Sequence, residues 1–116
     1  RSHRVVYSVM ANNYKNAKLD LTATSVTTLY TAPSATTSIV KSILVSEDSG
    51  NADTITVTVT NESAAVFSLF KVKAVAANTT IELLTAPLVL LEGEILKVNA
   101  ATANRLHVVA SILEIS

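Results

Sequence analysis

The chain has 116 residues, a formal net charge of zero and only 16% charged residues. That is the size of one domain, with no basic excess to draw it to nucleic acid and no cysteine for a disulfide, a thiolate metal site or a sulfur nucleophile. Apolar residues make up 49%, yet aromatics are 4% and Trp is absent, so the core must come from Val, Ile, Leu and Ala, which each bury less area than Phe or Trp. So thin a core predicts further burial against other subunits, and a neutral surface does not oppose association; a homo-oligomer or a docked subunit is the expectation.

The chain opens with "RSHRVVYSVMANNYKN", residues 1–16, which is polar and shows no period. It reads as an extended N-terminal arm that orders against a neighbour, with Arg4, Tyr7, Tyr14 and Lys15 as candidate partner contacts. Arg1 and Arg4 ahead of a short apolar stretch outline a signal peptide, but Tyr7 and Ser8 break it. Met10 opens "MANNYKNAK", which reads as a translation start, so the preceding residues are either an upstream extension or a true arm. No apolar run reaches the roughly 20 residues of a membrane helix, and no membrane partner is expected.

Residues 17–116 read as one domain with a period of two from Leu19 onward. "KLDLTA" and "VTTLYT" are strands that stop at Pro33, which lacks a ladder donor. "SIVKSILVS" places Ile39, Lys41, Ile43 and Val45 on one face and Val40, Ser42, Leu44 and Ser46 on the other; with both faces partly apolar it is expected to be central or at a subunit contact. "SEDSGNAD" is a polar turn, expected to be a hairpin. In the next strand Ile55, Val57 and Val59 face a core while Thr54, Thr56, Thr58 and Thr60 make a hydroxyl face. "AVFSLFKVKAVA", "TTIELL", "PLVLL", "EILKVNAA" and "NRLHVVASILEIS" follow, the last with Leu106, Val108, Ala110 and Ile112 on one face. Gly93 in "LEGEIL" marks a tip that needs positive φ. The expected fold is all-β: a single β-sandwich, jelly-roll-like or Ig-like, of about eight short strands.

Chemistry-bearing groups are sparse. His107 lacks a nucleophile in its pattern, and only His3 is another imidazole, so it reads as a half-exposed strand residue. Glu47, Asp48, Asn51 and Asp53 offer oxygen ligands for Ca²⁺, but their spacing misses the EF-hand pattern and a self-capping turn explains them equally. Glu92 and Glu94 flank Gly93 as paired carboxylates, the requirement of glycoside hydrolysis, but sit on a predicted tip where solvated charge is ordinary. Two glycines exclude a phosphate-binding loop, and no G-x-S-x-G exists. Asn61-Glu62-Ser63 and Asn78-Thr79-Thr80 match glycosylation acceptors, as Thr- and Asn-rich chains do by chance. The threonine row lacks the regular repeat of an ice-ordering surface and reads as β-propensity. No catalytic residue, cofactor site or metal site is expected.

Several pieces together resemble small structural proteins of tailed bacteriophages, especially those of marine and cyanobacterial phages. They are Tyr30-Thr31-Ala32-Pro33, the strand Ile39 to Ile43, the run Val89-Leu90-Leu91-Glu92-Gly93-Glu94-Ile95-Leu96-Lys97-Val98, the closing strand Ala110 to Ile115, and the start "MANNYKNAK". The resemblance spans Met10 to Ser116 and rests on turn and strand positions. It implies a non-enzymatic virion protein assembled in the host cytoplasm, with the major capsid protein or other virion proteins as partners. Capsid decoration (cement) is the first expectation; a neck-, tail- or fibre-associated role is the second. A carbohydrate-binding module is the reading from another class, but such sites favour exposed aromatic platforms, and here only Tyr7, Tyr14 and Tyr30 could serve.

Overall fold

The structure, a computed structural model, describes residues 11–116. Nine strands are formed among them: β1 (Asn12–Asp20), β2 (Thr27–Thr31), β3 (Thr37–Glu47), β4 (Asp53–Thr60), β5 (Val66–Val75), β6 (Thr80–Glu82), β7 (Leu88–Leu90), β8 (Ile95–Ala100) and β9 (Leu106–Ile115). They make two antiparallel sheets, one in the order β1-β9-β3 with β6 and β7 end to end along the far edge of β3, the other in the order β2-β8-β4-β5. Taking β6 and β7 as one interrupted strand, this is the order of a jelly roll and not of an Ig domain.

Most connections therefore cross from sheet to sheet. The polar turn after Glu47 carries the chain from β3 to β4 in the other sheet, and the Gly93 turn carries it from β7 to β8. Both were expected as hairpin tips. Turn residues specify a reversal, but not whether the next strand pairs with the last one or packs across from it. Among the described residues β4–β5 is the true hairpin, closed at Asn61, whose side-chain oxygen accepts from the Ala65 N–H at 2.9 Å. Gly93 has φ +78, a conformation that favours glycine, and a Cβ there would lie 2.7 Å from Glu62 Cγ, so the exposed Glu62 side chain would have to shift.

The core lies between the sheets. Ile55, Val57 and Val59 of β4 and Leu106, Val108, Ala110 and Ile112 of β9 are buried on the face their alternation indicates. Each large aliphatic so buried contributes roughly 1.5–3 kcal/mol. Strand β3 departs from the expectation. It is central, but its pairing with β9 jumps between Val40 and Ser42, leaving Lys41 as a bulge. One extra residue reverses the phase, so Ser38 and Val40 point inward before it and Ile43, Val45 and Glu47 after it. The expected face of Ile39, Lys41, Ile43 and Val45 is thus split. The bulge falls in the gap between β6 and β7, where Glu82 reaches back to satisfy it. Its carboxylate accepts from the Ser42 hydroxyl, the Ile43 N–H at 2.8 Å and the Leu84 N–H at 3.1 Å. Burial opposes its charge, but these donors hold its pKa below the ordinary value.

The expected arm divides at the start of β1. Residues 12–16 pair with β9 from Asn12↔Ile115 to Asn16↔Ser111, within a ladder that continues to Asp20↔His107. Arg4 and Tyr7 lie outside the described residues.

Candidate functional site

The Tyr30 cluster was not anticipated from the sequence. Tyr30 is the last residue but one of β2 and is 7% exposed. Its hydroxyl donates to Glu114 Oε2 and shares a 2.7 Å hydrogen bond with Ser38 Oγ. Lys15 of β1 pairs with the same Glu114 oxygen at 3.3 Å, and its ammonium lies 5.9 Å from the Tyr30 ring centre. Burial, then the Glu114 carboxylate, push the tyrosine hydroxyl up to about 12. Four polar residues from β1, β2, β3 and β9 thus tie the two sheets together at one end. Ser38 and Glu114 occupy core-facing phases of their strands, and polar residues in apolar phases were the sequence signal for a buried partner. The arrangement removes Tyr30 from the possible aromatic platforms. Tyr14 is 71% exposed, and Tyr7 lies outside the described residues.

The acidic loop is built around Glu47, which is buried at the end of β3. Its carboxylate accepts from the Ser49 hydroxyl, the Ser49 N–H at 2.8 Å, the Gly50 N–H at 3.0 Å and the Asn78 N–H at 3.1 Å. Burial alone would raise its pKa; these bonds outweigh it and hold the group at about 2. Asp53 accepts from the Thr54 N–H at 2.8 Å and the Thr102 N–H at 3.1 Å, fixing the β8–β9 connection. These carboxylates are spent on backbone donors in different directions. Among the described residues no His, Cys, Asp and Glu side chains gather as a metal-binding group.

His107 stands on the outer face of the β1-containing sheet with its side chain 42% exposed. Its Nε2 lies 3.3 Å from Asp20 and its Nδ1 3.6 Å from Asp48. The ladder explains the first neighbour, because Asp20 is the β1 residue opposite His107. Glu94 serves its own turn, accepting from the Leu91 N–H at 2.8 Å, and Glu92 reaches the β2–β3 connection, accepting from the Ala35 N–H at 3.3 Å.

Strand β5 differs from all of these. It is the edge of its sheet, and its apolar side chains are largely uncovered: Val66, Phe67, Leu69 and Val72 are exposed and Phe70 is half-buried. Both phenylalanines of the chain stand here. Phe67 and Phe70 pair with Val59 and Val57, so they share the inward face of the sheet, yet Phe67 keeps 55% of its surface in solvent. The reason is the short, interrupted strand opposite: β6 and β7 leave an open seam in which Leu69 and Phe70 face Leu83, Leu84, Pro87 and Leu88 across an apolar groove. Two register jumps place two extra residues in β5. One bulge leaves Val72 at φ +53, a costly conformation for a β-branched residue, with its N–H bonded to Thr56 Oγ1 at 3.0 Å. The hydroxyl face of β4 is thus partly used to hold β5. Comparison with protein-family models and with curated protein sequences finds no match.

Proposed function

We propose that the chain is a non-enzymatic structural protein of a tailed-phage virion, a capsid decoration (cement) protein that binds and stabilises the head shell. The observation that carries this reading is β5. A chain with only two phenylalanines places both on an exposed edge strand beside an apolar groove. Exposed contiguous apolar surface of this kind belongs to a contact. The carboxylates that chemistry would need are instead used by Glu47, Glu82 and Asp53 to fix loops and a bulge. On a symmetric shell a modest contact repeated many times gives strong retention. The resemblance in the turn and strand motifs points to the same class of protein.

The test is occupancy on empty phage heads. Removing residues 1–16 would strip Asn12–Asn16 from β9, so the informative truncation ends at residue 10. Reduced occupancy is expected for that truncation and for Phe67→Ser with Leu69→Ser. Full occupancy in both would sink the proposal. Particles that carry the chain only at the neck or tail would move the role there.

A further inference from the structure

A second apolar surface lies on the outer face of the other sheet, where the ladders align outward residues in rows across four strands. One row runs Tyr14, Leu113, Ile39 and Val89, from β1 through β9 and β3 to β7. Another runs Lys18, Val109, Leu44 and Glu82, from β1 through β9 and β3 to β6. Tyr14, Val89, Val109 and Leu44 are exposed, and Leu113 and Ile39 are half-buried. Small polar residues, Asn16, Ser111 and Ser42, fill the row between them.

Both rows are self-complementary. A two-fold axis parallel to the strands, midway between β9 and β3, exchanges the ends of each row. In a second copy turned onto the first, Val89 stands over Tyr14 and Ile39 over Leu113. In the other row Leu44 stands over Val109, and Glu82 over Lys18. The Lys18 ammonium has no ion pair among the described residues, and Glu82 is exposed. The charged residues at outward strand positions are Lys18, Asp20, Lys41 and Glu82, two of each sign, so two such faces meet without net repulsion. Lys41 leans over the Tyr14 ring, 6.0 Å from its centre. Beside Val109 a shallow depression lined by Lys18, Asp20 and His107 leaves room for Leu44 of the second copy.

We infer that this face binds the same face of a second copy, in a two-fold dimer with aligned sheets, β9 of each over β3 of the other. Opposite charges meet twice, at Lys18 and Glu82, and fix the register.

The chain has no cysteine, so introduced cysteines report that register. Analytical ultracentrifugation of the full chain is expected to show a monomer–dimer equilibrium. Under mild oxidation, a mixture of Val109→Cys and Leu44→Cys chains should form the mixed disulfide in preference to either homodimer, as should Tyr14→Cys with Val89→Cys. Tyr14→Cys alone should not cross-link, because three strand spacings, roughly 14 Å, part it from its copy. All four positions are exposed, so the fold is expected to persist. Lys18→Glu sets like charges together twice and should weaken dimerisation about tenfold at low salt and less at high salt. A monomer at every concentration, cross-linking of Tyr14→Cys to itself, mixed disulfides no more abundant than the homodimers, or unchanged dimerisation of Lys18→Glu overturns the inference. β5 lies in the other sheet, so failure of this dimer does not touch the proposed head contact, and failure of that contact does not touch the dimer.

Discussion

Strands β4 and β5 are neighbours in one sheet, joined by one hairpin, and both alternate in sequence. In β4 every apolar residue is buried; in β5 only Val75 is. The difference lies in what stands across the sandwich. β4 is an inner strand with the continuous face of β3 and β9 within its reach. β5 is an edge strand, opposite the gap where β6 and β7 divide one strand's work. Alternation therefore reports that a strand is two-faced, but not what covers its apolar face. Where the molecule itself supplies no cover, the face is available to another.

Five substitutions test this contrast and the polar contacts around it. The largest effect belongs to the shared core. Leu96→Ala, at a side chain with no exposure on β8, is expected to cost about 3 kcal/mol in denaturant unfolding, whereas Phe67→Ala on β5 costs under about 1 kcal/mol despite the larger side chain. Equal costs would show that β5 is a core strand in solution. Tyr30→Phe, which leaves Glu114 and Ser38 without the hydroxyl between the sheets, is expected to cost about 1–2 kcal/mol.

The same cluster gives an alkaline signature. The folded-state pKa of Tyr30 is raised from 10.0 to about 12, so its contribution is complete below pH 10 and fades as pH rises toward 12. Titration of tyrosinate absorbance in the folded protein should show one group delayed into that window. Glu47 acts with the opposite sign. Its pKa is lowered from 4.5 to about 2, so its contribution is present above pH 4.5 and is lost as pH falls toward 2. Glu47→Gln should destabilise the protein at neutral pH and flatten the acid limb of stability against pH; an unchanged acid limb would show that another carboxylate governs it. The smallest effect is expected at Val72→Gly, which relieves positive φ at the β5 bulge and should stabilise by about 0.5 kcal/mol after the entropic cost of glycine in the unfolded chain.

The all-β class, most of the strands and the buried faces of β4 and β9 were legible from period two alone, and Gly93 from the residue type its turn demands; the polar first half of β1, Asn12 to Asn16, was not, because it carries no apolar alternation. The split of β3 was not, because a bulge shifts the phase by one residue and leaves composition unchanged; Lys41, the one charged residue of "SIVKSILVS", was its only trace. The jelly-roll order was not legible either, since turn chemistry is the same for a hairpin and for a crossing between sheets. Of the exposed β5 face, the apolar alternation of Val66 to Val72 was visible, but its exposure depends on how β6 and β7 divide across the sandwich, and "TTIELL" and "PLVLL" read simply as two more strands. The polar cluster of Tyr30, Ser38, Glu114 and Lys15 joins residues far apart in sequence, so only the inward phase of Ser38 and Glu114 hinted at it.

Hydrogen exchange on the chain, free and bound to empty phage heads, tests the central claim most directly. The expected result is that β4 amides are slow in both states, while β5 amides exchange readily in the free chain and become slow on the head. Unchanged exchange in β5, with protection appearing elsewhere or nowhere, would contradict it.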